Sequence, residues 1–370
     1  MHGLGNDFVM VEDRELSLLA AKCNALAKDP IKCDALWLRQ FCSKLAAHIC
    51  NRNLGVGGDG LIVAIDIAQM KAKSVAGESF YRALELFTAD YPGLDHCQVA
   101  WIYVNSDGSY SAMCGNGLRC LTLFVSDLGW LKNNEFSVAT SVYPVAVEIT
   151  PSTAPGGDTM TVKTRLAGPI YEPSQVPLAA SSNNAESFIE QPISVAGRTL
   201  FATCLSMGNP HCVIFEQDGL SLSAYAADIE AAHRAGRPLQ KFPDDLLQLA
   251  GDIQKLSLFP EGVNVEFVRT SGQASDTACV FVLERGCGAT LACASGAAAV
   301  LAAGVISKRL NKKSYVILPG GKLEVSLSCA DDQGCMQKSD EYIELTGPAT
   351  RAFVGDATVP ASLFLEGVCI

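Results

Sequence analysis

Two segments of this 370-residue chain match each other 179 residues apart, about half its length, and this repeat constrains the fold more than any other feature. Asn105-Ser-Asp-Gly-Ser-Tyr-Ser-Ala-Met-Cys114-Gly-Asn-Gly117 aligns with Glu284-Arg-Gly-Cys-Gly-Ala-Thr-Leu-Ala-Cys293-Ala-Ser-Gly296. In each copy a predicted strand ends in a polar residue and a glycine-containing turn follows. A cysteine stands nine residues after that polar position. A helix-like run comes next, Leu118 to Val125 in the first copy and Ala297 to Val305 in the second. The chain therefore reads as two halves of related architecture.

The chemistry of each half follows from that placement. A cysteine at a helix N-terminus meets unsatisfied N–H groups and the positive end of the helix dipole, so each thiol is expected to ionise more readily than usual. The backbone N–H groups of Gly115, Asn116, Ala294 and Ser295 would form a cradle sized for a carboxylate. Two such halves facing one cleft would put a thiol on each wall. That suits removal of a proton from one face of a carbon α to the bound carboxylate, and delivery of one to the other face. The reading is racemisation or epimerisation that calls for no cofactor and no metal.

Composition supports a folded chain, with 49% hydrophobic and 18% charged residues. Its 28 basic and 39 acidic residues give a net charge of −11, and no basic block stands out, which argues against a nucleic-acid partner. Fifteen cysteines, an odd number without a Cys-x-x-Cys pair, support neither a disulfide framework nor a zinc ribbon. Most are expected to be buried small hydrophobes. The residues from Met1 to Phe8 lack a signal-peptide pattern, and the longest apolar stretch, Leu291 to Ile306, is short and interrupted by glycine. A cytoplasmic protein with no membrane partner is expected.

Amphipathic spacing predicts helices over Leu16–Ala27 and Asp34–Cys50. Apolar runs predict strands at Leu61–Ile65, Val99–Val104, Leu200–Leu205, Cys212–Phe215, Val263–Val268, Ala278–Leu283, Tyr315–Leu318 and Lys322–Leu327. Val142–Thr150 and Thr159–Arg165 read as a hairpin around Pro155-Gly-Gly-Asp158. Glu172–Pro192 reads as a surface loop, and Leu220–Leu256 as helical with breaks at Pro238 and Pro243. Gly55-Val-Gly-Gly-Asp-Gly60 has the spacing of a dinucleotide loop, but it lies between a helix and a strand in the wrong order for one. Asp59-Gly60 and Asp107-Gly108 read as turn formers.

The repeat and several further blocks together resemble the diaminopimelate epimerase family, cofactor-independent enzymes that use two thiols. The blocks are Met1-His-Gly-Leu-Gly-Asn-Asp-Phe8, Asn51-Arg-Asn-Leu-Gly-Val-Gly-Gly-Asp-Gly60, the Asn105–Gly117 copy, Ser206-Met-Gly-Asn-Pro-His-Cys-Val213, Gly262-Val-Asn-Val-Glu-Phe267, the Glu284–Gly296 copy and Leu318-Pro-Gly-Gly-Lys322. The resemblance implies Cys114 and Cys293 as the base and acid, exchanging roles with direction. It implies Gly115, Asn116, Ala294 and Ser295 as the carboxylate cradle, and Asn6, Asn105, Asn209, Asn264 and Arg285 as the substrate grip. Glu284 and His211 would be polar partners of the thiols and of the reacting ammonium group.

The resemblance also implies an α+β fold of two pseudo-symmetric domains, each a twisted, mostly antiparallel sheet around a central helix, with the active site in the cleft between them. The expected halves are residues 1–141 with about 350–370, and residues 142–349. The expected substrate is diaminopimelate and the expected assembly a homodimer, serving lysine and peptidoglycan precursor synthesis. A racemase of another amino acid such as histidine, or a non-catalytic amino-acid binding protein, are the alternatives. Ala294 replaces the family's usual glycine, and Tyr110 and Ala289 stand where acidic residues are common. Extra length falls at Asn6–Gly55, Asp66–Val99, Cys212–Asn264 and near the C-terminus.

Overall fold

The apolar runs at Leu61–Ile65 and Val99–Val104 pair antiparallel as neighbouring strands, with Leu61 opposite Val104 and Ile65 opposite Ala100. Alternate side chains leave a strand on opposite faces. Leu61, Val63, Ile65, Ala100, Ile102 and Val104 pack under outer helices, whereas Ile62, Ala64, Val99, Trp101 and Tyr103 surround a central helix. Strands buried on both faces are apolar throughout, which is why these runs show no alternation.

The computed structural model describes residues 1–27, 31–150, 157–179, 186–271, 274–329 and 341–365. The chain divides into two compact units, Met1–Thr164 with Pro348–Ile370, and Arg165–Gly347. The first contains β1 (His2–Gly3), β2 (Asn6–Glu12), α1 (Asp13–Leu26), α2 (Ala35–Ile49), β3 (Gly60–Asp66), α3 (Ile67–Val75), α4 (Ser79–Thr88), β4 (Val99–Asn105), α5 (Gly115–Asp127), β5 (Glu135–Ala139), β6 (Val145–Thr150) and most of β7 (Thr159–Ala167). The second contains β8 (Phe188–Val195), β9 (Arg198–Ser206), β10 (Pro210–Phe215), α6 (Ser223–Arg234), α7 (Asp244–Gln254), β11 (Asn264–Thr270), β12 (Ser275–Glu284), β13 (Gly288–Ala289), α8 (Ala294–Ile306), β14 (Leu310–Leu318), β15 (Gly321–Cys329) and most of β16 (Glu341–Thr350). The short α9 (Ser362–Leu365) belongs to the first unit, where Phe364 stacks on Phe41 of α2 with ring centroids 4.3 Å apart.

The repeat is visible in the pairing. In the first unit β2–β3 are parallel, β3–β4 antiparallel, β4–β5 parallel, and β5–β6 and β6–β7 antiparallel. In the second the same sequence of senses runs through β10–β11, β11–β12, β12–β14, β14–β15 and β15–β16. The first unit's strands close into a ring of eight, because the end of β16 lies beside β7 and also pairs with β1 at His2 opposite Thr350. The ring encloses α5, and the second unit's strands pack on α8.

The fold class is as expected, and the details correct the boundaries. The first unit continues past residue 141 to Thr164, because β6 pairs with β5 and β7 with β6. The tip of the expected hairpin, 151–156, lies outside the described residues. Part of the expected loop at Glu172–Pro192 is strand β8, which pairs with β9 at Gln191 opposite Ala202. Its short apolar positions, Phe188, Ile193 and Val195, are spaced across a register shift that hides the alternation. The added length after Asp66 is α3 and α4, whose Met70, Phe80, Tyr81 and Leu84 cover the outer face of the sheet. Among the described residues no helix is long and apolar enough to cross a membrane.

One outer-layer residue carries a pH dependence. Asp13, the first residue of α1, is fully buried; its Oδ2 accepts the Asp66 N–H at 3.2 Å and its Oδ1 has no partner among the described residues. Burial, followed by the nearby Asp66 and Glu12 charges, raises its pKa to about 7. The folded state therefore holds this proton where the unfolded chain, titrating near 4, has released it. The contribution to stability is present at low pH and is lost as pH rises through about 7. Asp13→Asn is expected to flatten the fall in unfolding free energy between pH 4 and 8, measured by urea titration at each pH.

Candidate active site

In the first unit, β4 ends at Asn105 and a tight turn carries the chain toward α5. Asp107 Oδ1 accepts from the Ser109 N–H at 2.8 Å and from its hydroxyl at 2.6 Å, so it forms the turn as expected. Gly108 has φ +85°, and a Cβ there would lie 2.7 Å from Ser43 Oγ, so only glycine fits. Asn105 serves the same turn, its Nδ2 donating to Ser109 Oγ at 2.9 Å.

Cys114 is the N-cap of α5, and its sulfur accepts the Gly117 N–H at 3.4 Å. Gly115 and Asn116 follow as the first buried residues of the helix. Asn116 Nδ2 donates to Asn6 Oδ1 at 3.2 Å, and Cys114 Sγ lies 3.9 Å from the same oxygen. Asn6 in turn donates to Asp59 Oδ2 at 2.6 Å. Asn6, Cys114, Gly115 and Asn116 thus form one cluster.

Two residues that sequence reasoning missed hold this cluster. Asp59, expected only to form a turn, also accepts the Asp7 N–H and pairs with Arg52 at 2.9 Å, so it anchors Asn6. Arg119 is wholly buried in α5 and donates to Asn116 Oδ1 at 2.6 Å, Gly115 O at 3.3 Å and Pro348 O at 3.2 Å. The signal for Arg119 was a cation inside an otherwise apolar helical run.

In the second unit, β12 ends at Glu284, and β13 folds back on it with Glu284 opposite Gly288. Glu284 Oε1 accepts the Thr290 hydroxyl at 2.5 Å. Burial raises its pKa, against hydrogen bonds from Thr290 and Cys293 that lower it. Cys293 caps α8, its sulfur accepting the Gly296 N–H at 3.3 Å with Ser295 Oγ at 3.5 Å. Ala294 is the buried first residue of that helix.

His211, on β10, has no solvent exposure. Its Nδ1 lies 2.7 Å from Glu266 Oε1 and its Nε2 lies 2.9 Å from Asn209 Oδ1. Both ring nitrogens are committed, so it reaches the thiol's surroundings through those two side chains. Asn209 Nδ2 donates to Ser295 Oγ at 3.5 Å. Asn264 donates to Pro210 O at 3.0 Å and accepts the Arg285 N–H at 2.8 Å. The Arg285 side chain is exposed, with Nη1 donating to Glu261 O at 2.9 Å. Glu266, quoted only within an apolar motif, was the third residue missed.

One expectation is reversed. The Cys293 thiol is pushed well above its ordinary pKa by burial and by the carboxylates of Glu284 and Glu266. The helix N-terminus and the Gly296 N–H oppose this but do not outweigh it. Burial and the two carboxylates thus favour the protonated form of Cys293. Of the other cysteines, Cys120 is buried within α5 and Cys287 is exposed. Cys329 is disulfide-bonded, an exception to the expectation of unpaired thiols.

The chain is similar to known proteins over nearly its whole length. The sequence profile of the family described as diaminopimelate epimerase matches residues 1–165 and 238–349. Diaminopimelate epimerase 1 of Nostoc sp. is 31% identical over 354 residues, 96% of each chain. The chloroplastic diaminopimelate epimerase of Oryza sativa subsp. japonica is 30% identical, over 96% of this chain and 78% of that one. Among solved structures, a probable proline racemase of Agrobacterium radiobacter K84 superposes with a TM-score of 0.51 at 14% identity, over 91% of this chain and 85% of that one. That likeness concerns the fold alone. With about 30% identity over nearly the whole chain and the family profile covering both repeats, this chain belongs to the diaminopimelate epimerase family.

Proposed function

We propose that this protein interconverts LL- and meso-diaminopimelate by moving a proton off one face of the Cα carbon and onto the other. The observation that carries the reading is the matched pair of cysteines, one capping the central helix of each unit. Carbon acids of this kind are very weak without an electron sink. A thiolate removes the proton, and a thiol donates one, so the two sulfurs exchange protonation states in each turnover. The N-terminal N–H groups behind each sulfur, from Gly115 and Asn116 and from Ala294 and Ser295, suit the charge that develops on the reacting carboxylate. Asn6, Asn105, Asn209 and Asn264 offer mixed donors and acceptors to ammonium and carboxylate groups. The exposed guanidinium of Arg285 suits the far carboxylate.

Two further points rest on the resemblance: assembly as a homodimer and a role in lysine and peptidoglycan precursor synthesis. A cytoplasmic setting completes the proposal. A reducing compartment fits two thiols that must stay reduced to exchange protons.

The test is purified, cofactor-free protein with LL-diaminopimelate under reducing conditions, followed by chiral chromatography. Appearance of the meso form supports the reading. Racemisation of histidine with no action on diaminopimelate would redirect it. Asp59→Ala should lower kcat/KM about tenfold or more by releasing the Asn6 amide, while circular dichroism stays that of the parent protein.

A further inference from the structure

The two repeats differ in charge at one buried position. On β3, Ile62 lies one step in from the pair that joins Leu61 to Val104. On β11, Glu266 lies one step in from the pair that joins Val265 to Leu283. The helices confirm the equivalence. A Cβ on Gly117 of α5 would meet Ile62 Cδ1 at 2.8 Å, and one on Gly296 of α8 would meet Glu266 Oε1 at 2.9 Å. Their neighbours correspond as well: Phe8 pairs with Gly60 on the parallel strands of the first unit, and His211 pairs with Asn264 on those of the second. An apolar Phe–Ile pair in one half is thus a His–Glu pair in the other.

Packing does not explain the exchange. Glu266 is fully buried, and among the described residues its Oε2 has no hydrogen-bond partner. A buried carboxylate oxygen in that state is costly, and the first unit fills the same place with isoleucine. The charge must therefore act on something nearby. A Cβ on Gly296 would also meet Cys293 Sγ at 3.2 Å, so the carboxylate and the thiol face the same point in the first turn of α8. Around Cys293 the charged and titratable groups are Glu266 from β11, Glu284 from β12 and His211 from β10, with the helix's own N–H groups behind. The first unit presents the opposite sign, since the buried Arg119 guanidinium is the cation near Cys114.

We propose that Glu266 is a positioning residue that keeps Cys293 as the proton-carrying thiol of the resting protein and, through His211, fixes the Asn209 amide toward the first turn of α8. Cys114 is then the proton acceptor of the resting form. His211 bridges Glu266 Oε1 and Asn209 Oδ1, which leaves the Asn209 Nδ2 for Ser295. Loss of Glu266 removes one of the two negative charges that act on the sulfur and the partner that orients the ring. This assignment rests on the two-thiol reading above, so its test is one that does not use turnover.

The experiment is the pH dependence of methyl methanethiosulfonate labelling at each cysteine, read by peptide mass spectrometry on the intact, reduced protein. The pH at half-maximal rate reports the thiol, whatever the absolute rate. In the parent protein Cys293 should label with a midpoint above the ordinary value of about 8.5. Glu266→Gln should lower that midpoint by about one pH unit or more, with the Cys114 profile unchanged. Glu266→Asp, which retains the charge, should stay close to the parent. A Cys293 midpoint at or below 8.5 in the parent overturns the proposal without any variant. So does a Gln variant that matches the parent, or Gln and Asp variants that shift equally, which would mark a packing effect. Protein inactive on diaminopimelate but showing the predicted shift would sink the proposed reaction and leave this assignment standing.

Discussion

Replacing either Cys114 or Cys293 by serine is expected to leave a folded protein whose LL-to-meso conversion has fallen by about a thousandfold or more. The change separates the cap that each cysteine forms from the acid–base role proposed for it. As an N-cap, each sulfur accepts one N–H, from Gly117 at 3.4 Å and from Gly296 at 3.3 Å. Serine is among the best residues for that task, so α5 and α8 should be as stable as before or slightly more so. As an acid or base, a hydroxyl titrates far above a thiol and cannot exchange a proton with carbon on the required timescale. Loss of either sulfur removes one face of the reaction, so the double variant should be scarcely worse than either single one. Initial rates and thermal melts on the same samples check this. A serine variant within tenfold of the parent rate would contradict the roles given to both thiols.

The second large effect is on stability. Arg119→Met keeps the side-chain volume but leaves Gly115 O, Asn116 Oδ1 and Pro348 O without their donor. Hydrogen bonds to a charged group contribute roughly 1.5–3 kcal/mol each. Burying a guanidinium is itself unfavourable, as its lowered pKa from burial reflects, and this offsets part of the loss. A net destabilisation of about 3 kcal/mol is expected for the first unit. All three tryptophans, Trp37, Trp101 and Trp130, lie in that unit, so urea unfolding followed by intrinsic fluorescence reports it directly. A loss below about 1 kcal/mol would mean that the arginine is not the keystone of the Asn6–Asn116 cluster.

The topology was legible because the repeat is local and the strands around each central helix are apolar on both faces. Leu61–Ile65 and Val99–Val104 need no partner to be recognised as buried strands. Shorter pieces were not legible. The two-residue β1 and the register-shifted β8 take their conformation from neighbours, and α3 with α4 was visible only as added length. The same division holds at the site. Residues that stand in the repeat, Cys114, Asn116, Cys293 and Ser295, were singled out by position, and Glu284 by the resemblance. Asp59, Arg119 and Glu266 act by contacts made only after folding, with Asn6, Asn116 and His211 respectively. The ionisation of Cys293 was misjudged for a related reason. The helix end is written in the local sequence, but burial, and then the carboxylates of Glu284 and Glu266 from other strands, outweigh it.

The most direct test of the two-thiol account is the isotopic composition of product formed early in D₂O from unlabelled LL-diaminopimelate. In the proposed reaction one sulfur removes protium while the other delivers solvent-derived deuterium to the opposite face. The account predicts meso product carrying one deuterium at the inverted centre, with almost none in the unreacted substrate. Meso product that retains its original hydrogen, or substrate that exchanges without inversion, would contradict it.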